Sequence, residues 1–357
     1  MKDQISWNLE FSRAFKNARE LYQFLGPAFD FSGLEKITQT YPLFLPRRLA
    51  KKIKEQGPAG VLAREFLPAI EELSTQGLMD PIGDKNFNRA PQLIHRYPSR
   101  ALFTPTSICP VHCRYCFRKN ELNAKDELFL GEFDTTLQYL KAHPEISEII
   151  FTGGDPFTLS NEKLEKYLVS FADLKTIKDI RFHTRYPVVM PERFDEELLD
   201  IFLKFSHRFR TISIAIHANH VDEFDQEAKT TITKMNKLPI QLLSQTVLLK
   251  DVNDTTEDLL NLMTLFMDLK IRPYYLHHPD QVKGGMHFYL PLQTGRRIYS
   301  TLRNNLPGWA LPHYVIDIPD GEGKITAFNP ESFEFSGQLL SKMGHTVSFS
   351  EPDFFTH

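Results

Sequence analysis

Apolar runs and amphipathic stretches alternate along this 357-residue chain, and the alternation changes character near residue 100. Up to about residue 90, Pro and Gly interrupt the chain repeatedly, at Gly26-Pro27, Pro42, Pro46, Gly57-Pro58 and Pro81. Between the breaks, Arg47 to Lys54 and Val61 to Leu73 carry apolar residues at helical intervals, so residues 1–90 read as an N-terminal helical region. Beyond Arg100, short β-branched or aromatic runs occur at Ala101–Thr104, Glu148–Phe151, Ile180–Phe182, Thr211–Ile216, Ile240–Leu248 and Ile271–Leu276. Helix-period segments separate most of them, among them Glu162–Phe171, Asp195–Phe205 and Glu257–Asp268. A strand about every thirty residues with a helix between is the βαβ unit, which winds right-handed into a parallel sheet. The fold class is α/β. Six such units suffice for a partial (β/α)6 TIM-like barrel over 91–310, and a doubly wound sheet shares the local pattern. Either way, ligands bind at the C-terminal ends of the strands. Residues 311–357 form a C-terminal segment with one further apolar run, Tyr314–Ile316.

Polar side chains gather directly after these runs: Gly153-Gly154-Asp155, His183-Thr184-Arg185, His217 with Asn219 and His220, and His277-His278. Several polar groups on one rim is an enzyme's layout. Composition mainly excludes. With 41% hydrophobic and 24% charged residues, disorder, collagen and coiled coil drop out. A net charge of -3 offers no basic surface for nucleic acid. No apolar run approaches the ~20 residues that cross a bilayer, and Met1 to Glu10 lacks the apolar stretch of a signal peptide. The expectation is a soluble cytoplasmic protein with neither nucleic-acid nor membrane partners.

Only three cysteines occur, Cys109, Cys113 and Cys116. An odd, clustered set makes no disulfide framework and fits a reducing compartment. The spacing C-x3-C-x2-C follows a strand end and offers three thiolates to a soft metal or an iron–sulfur cluster. Structural zinc would need a fourth ligand such as His112, whereas a three-thiolate [4Fe–4S] cluster leaves one iron open to a small molecule. The motif resembles the cluster motif of the radical S-adenosylmethionine (SAM) superfamily. At the next predicted strand end, Phe151-Thr152-Gly153-Gly154-Asp155-Pro156 resembles that superfamily's glycine turn, which holds the SAM ammonium. The resemblance implies a [4Fe–4S] cluster on the three cysteines, SAM bound by Gly153, Gly154 and Asp155, and Tyr115 against the adenine. It also places Thr184, His217 and Gln245 near SAM.

Lys324 ends a second glycine-bearing run that starts at Asp317. A desolvated lysine can form a Schiff base, most familiarly with pyridoxal 5′-phosphate (PLP). The run resembles the PLP-lysine segment of the lysine 2,3-aminomutase family, with Asp320 and Glu322 interrupting the family's glycines. His95-Arg96-Tyr97-Pro98-Ser99-Arg100 resembles the family segment that grips the PLP phosphate. The resemblance extends from Gln92 to Phe328 and implies that Lys324, Arg96, Tyr97 and Arg100 hold PLP. It assigns the substrate's α-carboxylate to Arg118 and a lysine ε-ammonium to Asp280 and Asp317. Charge agrees, because two carboxylates in a dry pocket would repel a glutamate tail.

The activity implied is that of an isomerase, L-lysine 2,3-aminomutase, which moves the amino group from C2 to C3 to give β-lysine. Arginine and glutamate are the alternative substrates, and an electron donor such as flavodoxin or ferredoxin is the implied partner. Every cysteine lies in the cluster motif, so the intersubunit zinc of longer clostridial relatives is not expected and the assembly is left open. Tyr274 to Phe288 is similar to the short relatives that make β-lysine for elongation factor P. Two other readings remain: a radical SAM enzyme that has lost PLP, and a non-catalytic zinc module on the three cysteines and His112.

Overall fold

The computed structural model describes residues 7–30, 33–122, 127–129, 131–328, 337–340 and 346–351. Five helices open the chain: α1 (Trp7–Ser12), α2 (Ala18–Leu25), α3 (Leu34–Thr40), α4 (Arg47–Gln56) and α5 (Val61–Phe66). The expected helix at Arg47 to Lys54 forms as α4. The stretch Val61 to Leu73 does not stay one helix. Pro68 has no N–H to give and holds Leu67 extended (ψ 140°), so α5 stops at Phe66 and a separate 3-10 turn, Ile70–Leu73, follows.

Ten strands then lie side by side in chain order. They are β1 (Asn88–Ala90), β2 (Leu93–Tyr97), β3 (Arg100–Thr106), β4 (Glu148–Gly153), β5 (Asp179–Thr184), β6 (Thr211–His217), β7 (Gln241–Val247), β8 (Arg272–His277), β9 (His313–Ile318) and β10 (Gly323–Thr326). Strands β3 to β9 run parallel, while β1–β2–β3 and β9–β10 are antiparallel. A doubly wound sheet reverses its order at a switch point, and this one never does. The sheet is therefore an open, mostly parallel barrel. Its strands β3 to β8 are the six expected from the sequence, and β9 adds a seventh parallel strand.

Helices α6 (Phe133–Ala142), α7 (Asn161–Ala172), α8 (Tyr186–Val189), α9 (Glu196–Phe205), α10 (Gln226–Met235), α11 (Thr256–Asp268) and α12 (Leu292–Asn305) make the crossovers. Side-chain oxygens start several of them: Asp195 accepts from Leu198 N–H at 3.0 Å, Asp225 from Ala228 at 3.0 Å and Thr255 from Asp258 at 3.1 Å. A two-stranded ribbon, β11 (Gln338–Leu340) with β12 (Thr346–Ser348), completes the described chain.

Alternation along each strand divides the residues between two faces. Outward, Phe103 and Phe151 meet Tyr167 and Phe171 of α7, with Phe103 edge-on to Phe171 at 5.3 Å, and Phe182 stacks on Phe151 at 4.6 Å. All three strand phenylalanines are fully buried, each worth about 1.5–3 kcal/mol of transfer free energy. The alternate positions, such as Arg181 and His183 on β5, line the interior of the barrel. Among the described residues, no helix is long and apolar enough to cross a membrane.

Candidate active site

The strand ends of β3 to β9 and the turn into β10 open onto one cavity, and every site residue expected from the sequence lines it. Cys109, Cys113 and Cys116 sit on the loop after β3. Burial raises all three thiols above their usual range, Cys116 to about 12, because a thiolate loses its water there. A metal must supply the compensating charge before they ionise. His112 does not line the cavity. It lies beside Pro42, its Nδ1 2.8 Å from that residue's carbonyl oxygen, and packs against Phe44. Among the described residues, no three His, Cys, Asp or Glu side chains converge to hold a single ion.

The end of β4 passes directly under the cysteine loop. A Cβ on Gly154 would come within 2.6 Å of Ile108 N and Ser107 C, so only glycine permits this approach. Asp155 ties β4 to β5: its carboxylate accepts from Thr184 Oγ1 at 2.9 Å and from Arg185 N–H at 2.7 Å. Burial lifts its carboxyl to about 6. Asp155 and Thr184 therefore anchor each other as well as facing the cavity. His217 and Gln245 are partners in the β6–β7 ladder and share a face. Tyr115 OH meets His217 Nε2 at 3.1 Å.

At β9–β10, Lys324 lies directly opposite Asp317, so both side chains project from the same face, and they form an ion pair. Burial alone would raise Asp317, but Lys324 and His277 hold it well below the usual carboxylate range. His277 Nδ1 is 3.2 Å from Lys324 Nζ. Burial and the Lys324 charge lower His277 to about 4, leaving a neutral imidazole. Asp280 goes the other way, to about 8, through burial and repulsion from Asp317. Tyr97 OH accepts from the Lys324 N–H at 2.9 Å, and Arg100 lies over the Tyr97 ring at 4.2 Å. A two-residue turn, Pro98-Ser99, places both on facing positions of β2 and β3.

Arg118 is 2% exposed, and its fork is engaged by Asp84 and by Glu121 at 3.2 Å. Asp84 also takes Arg96 at 2.6 Å, so one carboxylate bridges the two arginines assigned to cofactor and substrate. Sequence reading missed Asp84, which carries no motif of its own. It also passed over His277 and Arg185, although both stood in polar clusters after strands. Arg185 donates to Cys113 Sγ at 2.9 Å.

The cavity is lined largely by apolar surface, with a few polar atoms left for a ligand. Gln245 Oε1, His183 Nε2, His277 Nε2 and Arg118 Nε line it, and each is buried without a protein partner. Three thiols, a close glycine turn, orphaned polar atoms and a lysine amine suit a cluster, SAM and PLP.

Comparison with known proteins follows the same line. The pattern of the radical SAM superfamily matches residues 103–263. A protein of Aquifex aeolicus named "Putative L-lysine 2,3-aminomutase" is 35% identical over 82% of this chain and 79% of its own. The L-lysine 2,3-aminomutase of Escherichia coli K12 is 32% identical over 78% of this chain and 81% of its own, and that of Haemophilus influenzae 30% identical over 92% and 97%. Among solved structures, Streptococcus suis SuiB bound to S-adenosylmethionine aligns over 65% of this chain and 52% of its own, with a TM-score of 0.46 and 15% identity. Membership of the superfamily implies a [4Fe–4S] cluster and SAM, and the aminomutase relatives imply an amino-acid substrate. With extended sequence likeness added to this cavity, the chain belongs to the lysine 2,3-aminomutase family of radical SAM enzymes.

Proposed function

We propose that the protein is an L-lysine 2,3-aminomutase, converting L-lysine to β-lysine with a [4Fe–4S] cluster, SAM and PLP. The observation that carries the substrate reading is the placement of Asp280 and Asp317 in the cavity that holds Lys324. Two carboxylates beside the cofactor lysine favour a cationic tail and repel an anionic one. Cys109, Cys113 and Cys116 would hold the cluster. Tyr115, Gly153, Gly154, Asp155, Thr184, His217 and Gln245 would surround SAM, and Arg96, Tyr97, Arg100 and Lys324 would hold PLP.

When bound, these groups supply the radical that takes hydrogen from C3 and the π system that stabilises the migrating nitrogen. This chain's residues bind, orient and handle protons. Lys324 must lose a proton before its amine can react, and the neutral His277 Nδ1 lies 3.2 Å away to share it. Once Lys324 is engaged with the cofactor, Asp317 lacks its counter-charge, and a substrate ammonium restores it. Arg118, steadied by Asp84, presents its remaining Nε toward a carboxylate.

The test offers lysine, ornithine, arginine and glutamate to the PLP-loaded protein and follows the cofactor's visible absorbance. Lysine should act at the lowest concentration, and Asp280→Asn should weaken it about 10- to 100-fold, the cost of one charged hydrogen bond. Tighter binding of glutamate or arginine would sink the lysine reading.

A further inference from the structure

Arg185, the first residue after β5, is 4% exposed, and both terminal nitrogens of its guanidinium are engaged while Nε is buried without a partner. Nη1 donates to Cys113 Sγ at 2.9 Å and also to Tyr115 OH. Nη2 donates to Glu65 and to Glu223, each at 2.5 Å. The plane rests on the Phe66 ring at 4.7 Å, and its backbone N–H is fixed by Asp155. Both carboxylates are themselves held. Glu65 accepts from Asn219 Nδ2 at 2.8 Å, and Glu223 accepts from the N–H groups of Asn219 and His220. Glu65 lies on α5, whose backbone also reaches the cysteine loop: Glu65 O accepts from Arg114 N–H at 3.2 Å.

We infer that Arg185 is a positioning residue for the iron–sulfur cluster, fixing the Cys113 sulfur and, against Glu65 and Glu223 behind it, setting the cluster's reduction potential. The physics has two opposed parts. A reduced cluster carries one more negative charge, so an N–H donor and a positive charge at its ligand sulfur stabilise reduction and raise the potential. Carboxylates behind the guanidinium oppose that field and lower it. Neither effect is damped by water, because Glu65, Glu223 and Arg185 are all buried. One carboxylate would suffice to balance one guanidinium; burial raises Glu65 to about 7, so above that pH the second carboxylate leaves a net negative charge behind the arginine and gives the site two levers of opposite sign. The N-terminal helical region thereby contributes directly to the redox centre through Glu65. This inference rests on the family's cluster at the three cysteines and is indifferent to which amino acid is the substrate.

The experiment reconstitutes the full-length protein and its Arg185→Gln, Arg185→Lys and Glu65→Gln variants with iron and sulfide. Iron is counted, and each is titrated reductively at pH 8.5 while the signal of the reduced cluster is followed by electron paramagnetic resonance. Arg185→Gln should shift the midpoint to more negative potential, Glu65→Gln to more positive, and Arg185→Lys should fall between Arg185→Gln and the parent. A purely structural role gives no reason for opposite signs. Unchanged midpoints with full iron, or shifts of the same sign, overturn the inference. If neither Arg185 variant retains iron, Glu65→Gln decides: a positive shift upholds it, and no shift or a negative one overturns it.

Discussion

Asp280 and Asp317 share a cavity yet titrate in opposite directions, one pushed up to about 8 and the other held low by Lys324. An aspartic acid in an unfolded chain titrates near 3.9, so folded Asp280 retains its proton between about 4 and 8. The stability it contributes is present in acid and is lost as pH rises toward 8. Asp280→Asn should therefore melt close to the parent at pH 5 and above it at pH 9, as calorimetry of the unliganded protein would read. The same carboxyl must ionise to grip an ammonium, so lysine should bind more tightly as pH rises from about 7 to 9. In Asp280→Asn that rise should flatten. Lys324 and its acidic partner were legible in the sequence because their spacing matches a family segment. His277 and Asp84 were not, because each acts through a neighbour brought by the fold: Lys324 for one, Arg96 and Arg118 for the other.

At the scale of elements, the six barrel strands could be read from period and spacing, since each buries one face under a helix. The break at Pro68 marks where apolar periodicity misleads: the pattern continues through Leu73, but the backbone loses a hydrogen bond. Gly154 and Gly83 bring backbone against backbone at the site. Gly154→Ala would drive a methyl group into the backbone of Ser107 and Ile108, and overpacking of that kind costs about 1–3 kcal/mol. Because the displaced loop carries Cys109, iron content after reconstitution should drop several-fold while circular dichroism stays near the parent's. Gly83, with φ +67°, packs against the turn before Lys324, where a Cβ would sit 2.7 Å from Asp320 C. That contact keeps Asp84 beside the lysine's hairpin, and no motif in the sequence announced it.

For the whole molecule, the N-terminal helices serve the barrel more directly than a loose cap would. Glu72, fully buried, holds Arg114 Nη2 at 2.5 Å and Lys119 Nζ at 2.9 Å, both on the chain around the cluster motif. Glu72→Ala would leave Arg114, 2% exposed, without that carboxylate. Breaking one side of such a buried pair costs about 3–5 kcal/mol, and urea unfolding should show a loss of that size. The N-terminal sequence alone suggested only short helices, because the glutamates that matter find their partners across the fold.

The most direct test is anaerobic turnover. Protein reconstituted with iron and sulfide is given SAM, PLP, dithionite and L-lysine, and the product is identified by mass and chromatography. The parent should give β-lysine, and Cys113→Ala and Lys324→Ala should give none. Loaded protein that leaves lysine untouched while isomerising another amino acid would overturn the assignment of lysine as substrate.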